Sequence, residues 1–267
     1  MKVVSLAYHD AVVGEDFDSS GFPGAGPALY KLDVQELRKH LQQVAAVAQP
    51  GLAGSRQFLS KIAPGEVPLF LTFDDGGISA VTRIADLLEM FGLRGHFFIA
   101  TNYIDSPAFL TKEQIRELRR RGHVIGSHSR SHPARISECT WEEMVAEWAE
   151  SAATLSEIVG EAITCASVPG GFYTRRVAAA ASRAGIEVLF TSEPMKQCVY
   201  VDQCVVLGRF AIRRGMTSSH AVALASTAWS SSQVKQYVFW NLKKVAKRLA
   251  GTSYERTRKK ILSRRMK

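Results

Sequence analysis

The chain has 267 residues, of which 46% are apolar, so it is long enough for one large α/β domain and is not disordered throughout. Its net charge of +9 lies at one end, because residues 234–267 contain twelve Lys and Arg side chains and one acid, which leaves residues 1–233 at −2. The four cysteines include no C-x-x-C pair, which excludes a zinc ribbon and a thioredoxin-like site.

Apolar runs that favour strands alternate with helical patterns along the chain. Asp33, Thr111 and Thr140 are placed to cap three of the helices, the last two within capping-box patterns. The predicted strands are Val3–Tyr8, Val67–Phe73, His96–Ala100, His123–Ser127, Ile163–Ser167, Ile186–Thr191 and Val205–Ile212. This alternation predicts an α/β fold with a parallel sheet and right-handed crossovers. About seven such units favour an irregular (β/α) barrel over an open sheet without deciding between them.

Two regions are predicted, a barrel domain over residues 1–230 and a tail over residues 231–267. Within Ser232–Leu249 the apolar side chains fall on one helical face and the basic ones on the other. This pattern is typical of a basic amphipathic helix on an anionic membrane, and equally of a helix packed on the barrel with a solvated basic face. A second basic segment, Tyr254–Lys267, follows. No nucleic-acid-binding motif accompanies the charge, so no nucleic-acid partner is expected.

The cellular location is predicted from three features. The N-terminal run MKVVSLAYHD is too short for the apolar core of a secretory signal, since His9 and Asp10 interrupt it. No apolar run in the sequence reaches transmembrane length, and a reducing compartment is the simpler interpretation of the four cysteines. We therefore expect a cytoplasmic protein whose tail makes peripheral contact with the inner face of the membrane.

Two motifs follow predicted strands and carry the chemistry. The first, T-F-D-D-G-G, places Asp74 and Asp75 at the end of a buried strand, where desolvation and mutual repulsion are costly unless a metal takes one carboxylate. The second, H-S-R-S-H, places His128 and His132 directly after another strand, where the two imidazoles can converge on one cation. Two histidines and one carboxylate form an open ligand set of the kind that catalytic zinc uses. Taken singly, each motif is more typical of a surface turn.

Together, the two motifs resemble the polysaccharide deacetylase family, which shares the NodB homology domain and includes chitin and peptidoglycan deacetylases. The resemblance covers about Leu6 to Arg213 and implies an irregular (β/α) barrel. It also implies hydrolysis of the N-acetyl group of an amino sugar in an oligo- or polysaccharide, with release of acetate. In that chemistry Asp75, His128 and His132 would hold a divalent metal, usually zinc, and Asp74 would be the general base.

A third motif of the family, usually R-x-P-Y-G, corresponds here to the stretch from Ser167 to Tyr173. Ser167 stands where the family has the arginine that orients the base, and Arg175 and Arg176 are candidates to replace it. A backbone N–H of this loop, near Gly171, is expected to stabilise the oxyanion, and the aromatic side chains are expected to wall the sugar pocket. The residues of this substrate and oxyanion loop are Pro169, Gly170, Gly171, Phe172 and Tyr173.

The family's general-acid histidine, often in an L-x-H motif late in the domain, has no counterpart after Leu207. Tyr8-His9, at the end of the first predicted strand, instead resembles the poly-N-acetylglucosamine deacetylase branch, in which a Y-H motif near the N-terminus supplies this histidine. A barrel places the first strand beside the last, so His9 is predicted to be the general acid.

Two other functions stay open at this point. The departure at Ser167 allows a shifted substrate, such as a small linear or cyclic amide. A degenerate saccharide-binding domain without activity is the second alternative, although the intact carboxylates and histidines argue against it. If the tail binds a membrane, a lipid-linked exopolysaccharide intermediate becomes a suitable substrate.

Overall fold

The computed structural model of the protein describes residues 1–48 and 50–242. The predicted basic segment Tyr254–Lys267, and the part of Ser232–Leu249 after residue 242, lie outside the described residues. Within the described part of the chain, no helix combines the length and the apolar character needed to cross a bilayer.

Parallel strands form the centre of the fold. In chain order the strands are β1 (Val4–Tyr8), β2 (Ala11–Val12), β3 (Leu32–Asp33), β4 (Leu69–Phe73), β5 (His96–Ile99), β6 (Val124–Ser127), β7 (Cys165–Ser167), β8 (Val188–Phe190), β9 (Val199–Val201), β10 (Cys204–Leu207) and β11 (Phe210–Ala211). Nine of the described strands form one sheet in the order β11-β1-β4-β5-β6-β7-β8-β10-β9, while β2 and β3 pair separately. Neighbours in the large sheet run parallel, apart from the β9–β10 hairpin.

The order of the strands shows that this sheet curls into a barrel. Strand β11 lies at one edge and β10 lies next to the other edge, yet Leu207 and Phe210 are only three residues apart in the chain. Three residues span at most about 11 Å, so the two edges must approach each other. The predicted barrel is therefore confirmed, and the predicted strand Val205–Ile212 is two strands that meet at a bend, which we call the barrel seam (Gly208–Arg209).

Helices cover the outside of the barrel. They are α1 (Ala25–Ala28), α2 (Val34–Val47), α3 (Ala85–Met90), α4 (Lys112–Arg120), α5 (Trp141–Val159), α6 (Arg175–Arg183) and α7 (Ser218–Ala225), and residues 231–242 are also helical. A π-helical turn, Ala80–Ile84, leads into α3. The predicted caps are confirmed: the Asp33 side chain accepts a hydrogen bond from the Gln35 N–H, and complete capping boxes begin at Thr111 and Thr140.

His96 and His123, which lie outside the two motifs, belong to the core. His96 and His123 are fully buried, and burial lowers the pKa of each to about 4, so both are neutral at pH 7. The His96 imidazole accepts a hydrogen bond from the Ala53 N–H at 2.8 Å and pairs with the Leu71 carbonyl at 3.0 Å. The His96 hydrogen bonds thereby join β4, β5 and the loop at Ala53.

Candidate active site

The two aspartates stand at the carboxyl end of β4. Asp75 and Gly76 adopt the left-handed conformation, with φ of 79° and 83°, so the chain turns sharply as soon as the strand ends. Gly77 then passes so close to Asp10 that a Cβ on it would lie 2.0 Å from the Asp10 carboxylate. The D-D-G-G sequence therefore forms a tight turn that presents both carboxylates at one end of the barrel.

The histidine motif is a loop after β6 rather than a helical turn. Ser129 and His132 have φ of 65° and 53°, which breaks any helical geometry between the two histidines. His128 Nδ1 donates to the Ser167 carbonyl oxygen at 2.9 Å, which leaves Nε2 to face Asp75 at 3.4 Å from Oδ1. His132 Nε2 lies 3.6 Å from the same carboxylate oxygen.

These three side chains fit a metal ion. Asp75, His128 and His132 each offer one ligand atom, and the three atoms lie within 4.8 Å of one another. Two ligands at about 2.1 Å from a tetrahedral zinc are separated by about 3.4 Å, which agrees with the two distances to Asp75. Metal-binding histidines usually donate their other N–H to a protein oxygen, as His128 does to Ser167. The donor set and its spacing thus suit a divalent cation with open positions.

Asp74 is paired with an arginine that the sequence reasoning missed. Arg209, fully buried at the barrel seam, donates from two guanidinium nitrogens to the two Asp74 carboxylate oxygens at 2.7 and 2.8 Å. The Ser167 hydroxyl donates to Asp74 at 3.0 Å and accepts from Arg209 at 2.9 Å. Bidentate geometry of this kind fixes both the position and the orientation of a carboxylate.

Arg209 therefore occupies the place for which Arg175 and Arg176 were the sequence candidates. Both of those arginines are exposed at the start of α6, and neither contacts Asp74. The sequence does contain one indication of this pairing. Arg209 lies within an apolar run predicted to be a buried strand, and a buried guanidinium requires a partner carboxylate. Ser167 suits this arrangement, since its small side chain leaves room for a guanidinium that comes from the barrel seam.

The charge of Arg209 decides the protonation state of Asp74. Burial by itself would raise the pKa of Asp74, but the adjacent guanidinium and the neighbouring histidines hold it well below its usual range. Burial likewise acts to raise the pKa of Asp75, and its contacts with His128 and with the other histidines lower it. Both adjacent carboxylates are thus ionised at neutral pH, which resolves the repulsion expected from the sequence.

A cavity of about 370 Å³ opens over these residues. His9, at the end of β1, lines the cavity together with the carboxylates and the motif histidines, and its ring lies 4.8 Å from that of Tyr30. The residues that line the cavity are Ala7, His9, Phe22, Gly26, Pro27, Tyr30, Asp74, Asp75, His128, His132, Val168, Gly170, Gly171, Phe172, Ser192, Pro194, Ala211, Arg213, Met216, Gln236, Phe239 and Trp240. His9 is thus placed where a proton can be delivered to a bound substrate.

The third-motif loop contributes part of its predicted set to this cavity. Gly170 and Gly171 have positive φ and, with Phe172, line the wall beside the carboxylates. Pro169 is buried, and Tyr173 packs against the main hydrophobic core instead of lining the described cavity. The loop therefore presents backbone and one aromatic ring to a ligand.

The loop before α1 covers the histidine side of the site. Phe22 packs on His132, with 4.7 Å between the ring centroids. Lys31 holds this loop in place, because its ammonium donates to the carbonyl oxygens of Phe17, Ser20 and Phe22 at 2.5, 2.5 and 2.7 Å. The buried Lys31 thereby holds this Gly-rich loop over His132.

Comparison with known proteins gives matches to deacetylases. Residues 61–189 match the family model described as polysaccharide deacetylase. The Bacillus subtilis protein YxkH, named as a polysaccharide deacetylase, is 28% identical over 131 residues, covering 49% of this chain and 47% of YxkH. A chitin deacetylase of Colletotrichum lindemuthianum is 31% identical over 102 residues, covering 33% of this chain and 41% of that protein. The matched region spans about half the length of the curated relatives with which it aligns.

A solved structure shares the fold. The Streptococcus pyogenes deacetylase PplD, determined in complex with acetate, superposes with a TM-score of 0.71 at 18% identity and covers 85% of this chain and 99% of PplD. At that identity the likeness concerns the barrel alone. The matched region holds Asp74, Asp75, His128, His132 and the third-motif loop, so the predicted family is confirmed. Residues 61–189 thus assign the matched part of the chain to the polysaccharide deacetylase family.

Proposed function

We propose that the protein is a metal-dependent hydrolase that removes the N-acetyl group from an N-acetylated amino sugar in an oligo- or polysaccharide. The observation that carries this proposal is one cavity that holds both a three-ligand metal set and a carboxylate whose orientation is fixed by a buried arginine. The chitin and peptidoglycan deacetylases among the relatives support an amino-sugar substrate.

Asp75, His128 and His132 would hold the metal, for which zinc is our proposal because the donor set is two imidazoles and one carboxylate. A metal held there supplies a Lewis acid that polarises the acetyl carbonyl and lowers the pKa of an attacking water. Asp74, ionised and oriented by Arg209, accepts the proton of that water. The backbone of Gly170 and Gly171 lies on the wall where the oxyanion would form.

His9 would donate a proton to the amine nitrogen as its bond to the acetyl carbon breaks, so that acetate and a free amino sugar leave. We expect His9→Gln to lower acetate release from an amino sugar by about 10²–10⁴-fold. Release from 4-nitrophenyl acetate should change little, because its phenolate leaves without protonation. Equal losses on both substrates would contradict the general-acid role and indicate damage to the site as a whole.

The test of the function is acetate release from N-acetylglucosamine oligomers by the full-length protein. We expect chelation to abolish release and zinc to restore it. Zinc-loaded protein that releases no acetate from any oligomer but hydrolyses small amides would transfer the proposal to an amidase.

We propose that the chain acts in the cytoplasm at the inner membrane face, on a lipid-linked exopolysaccharide intermediate. Support comes from the basic residues that follow residue 242 in the sequence and from exposed apolar side chains on the helix of residues 231–242, among them Val238 and Leu242. Co-sedimentation with anionic vesicles that persists after removal of residues 243–267 would remove this basis.

A further inference from the structure

The helix of residues 231–242 is built onto the barrel beside the cavity. Its first turn is anchored by Gln233, which is fully buried and donates to the carbonyl oxygens of Leu224 and Ser226 at 2.8 and 2.9 Å. One turn later, Gln236 donates to the Ala211 carbonyl oxygen at 2.8 Å and accepts from the Ala211 N–H at 3.1 Å. The helix is therefore attached to the rest of the described structure at two positions, Gln233 and Gln236.

The contact with Ala211 sets the rotation of this helix. Strand β11 is an edge of the sheet, and the Gln236 amide satisfies both backbone groups that Ala211 turns away from β1. Side chains four positions apart share one helical face, so Trp240 lies on the same side as Gln236. The Gln236 amide thus directs Trp240 toward the cavity.

Trp240 lines the cavity and contacts the third-motif loop. A Cβ placed on Gly171 would lie 3.2 Å from Cη2 of the indole, so the ring abuts the third-motif loop directly. Phe239 and Gln236 line the same wall. The cavity lining consequently combines carboxylates and imidazoles with aromatic side chains, among them Trp240 and Phe239.

A cavity lined by both polar groups and aromatic rings suits a pyranose ring. A sugar has apolar C–H faces and polar edges, so a site for it needs an aromatic surface beside a few precisely placed polar groups. The volume of about 370 Å³ is within the range of small-ligand sites. Trp240 offers the largest aromatic surface in the wall.

We propose that Trp240 is a substrate-binding residue, whose indole packs on a pyranose face while the N-acetyl group of the substrate reaches Asp74 and Asp75. This inference rests on the proposed function, and it assigns part of the saccharide site to a helix outside residues 61–189, the region that the family model matches. The helix that carries the basic tail thus also determines how tightly the saccharide binds.

The test uses the zinc-loaded, full-length protein and two measurements. Acetate release from N-acetylglucosamine oligomers gives kcat and KM, and calorimetry gives the affinity for glucosamine oligomers, which the enzyme cannot turn over. We expect Trp240→Ala to raise KM and weaken binding of the glucosamine oligomers on the order of tenfold, with kcat nearly unchanged, whereas Trp240→Phe should keep part of the affinity. The control is Tyr237→Ala, which removes an exposed ring of the same helix outside the cavity lining.

The outcomes separate the two proposals. Unchanged binding in Trp240→Ala, equal losses in Trp240→Ala and Tyr237→Ala, or no binding by the unaltered protein would each overturn the role of Trp240. Absence of acetate release by the unaltered protein, with oligomer binding that still depends on Trp240, would overturn the hydrolytic function and keep the saccharide site. If Trp240→Ala fails to fold, the affinity of the Trp240→Phe variant decides, and an affinity equal to that of the unaltered protein counts against the proposal.

Discussion

Asp75→Asn is expected to abolish zinc-dependent acetate release while the protein stays folded. Asparagine keeps the shape of the side chain and tolerates the left-handed backbone at this position, where φ is 79°. The variant removes only the negative charge that His128 and His132 face at 3.4 and 3.6 Å. Loss of this ligand should weaken zinc binding by more than the roughly 10–100-fold that loss of a supporting hydrogen bond costs.

Zinc content and thermal unfolding measure the effect. Zinc at a hundred times its dissociation constant stabilises a folded protein by about 2.7 kcal/mol, so it should raise Tm of the unaltered protein and leave that of Asp75→Asn unchanged. His220→Ala is the matched control, because His220 is an exposed histidine of α7 that pairs with Thr217. A zinc-induced rise in Tm that survives Asp75→Asn would show that the metal binds elsewhere.

Arg209→Met should destabilise the protein and inactivate it. The substitution leaves the Asp74 carboxylate buried without its ion pair, and breaking a buried pair in this way costs about 3–5 kcal/mol. The pKa of Asp74 should rise, because burial then acts on it without the guanidinium. Since a base works only above its pKa, the acidic limb of the rate profile should move to higher pH, and residual activity should be largest at alkaline pH.

A double variant separates stability from chemistry. Asp74→Asn with Arg209→Met removes both charges, so it should regain much of the stability lost in Arg209→Met, yet remain inactive because no base is left. Urea unfolding and acetate release, measured on the same samples, test both statements. Arg214→Met, at an exposed arginine that stacks on Phe17, should behave like the unaltered protein. Full activity in Arg209→Met would remove the role assigned to the pair.

The parts of the site that are continuous in sequence were predictable. Asp74 and Asp75 end one strand and the two histidines follow another, so the shared end of a parallel sheet was enough to bring them together. Arg209 was not predictable in this way, because it lies 135 residues from Asp74 and reaches it only across the closed barrel. No pattern within a single strand indicates which carboxylate a buried arginine will find.

The other differences between the predicted and the observed fold have local causes. Strand β9 has three residues and is partly exposed, so it lacks the continuous buried run that marks strands such as β1 and β4. The predicted last strand is interrupted by a bend at Gly208. The backbone there passes so close to Met195 that a Cβ would lie 2.4 Å from its carbonyl oxygen, so the position requires glycine. For the helix of residues 231–242 the sequence left open a membrane surface or packing on the barrel, and the described residues pack on the barrel through Gln233 and Gln236, which the amphipathic pattern did not single out.

The barrel seam has a consequence for how the protein matures. Strands β4 to β7 carry Asp75, His128 and the carbonyl oxygen that orients it, so these groups can assemble before the ribosome has completed the chain. Arg209 comes from the last turn of the barrel, and Asp74 obtains its partner only when that turn docks. In the order of synthesis, the ligands of the proposed metal site therefore precede the arginine that orients the proposed base.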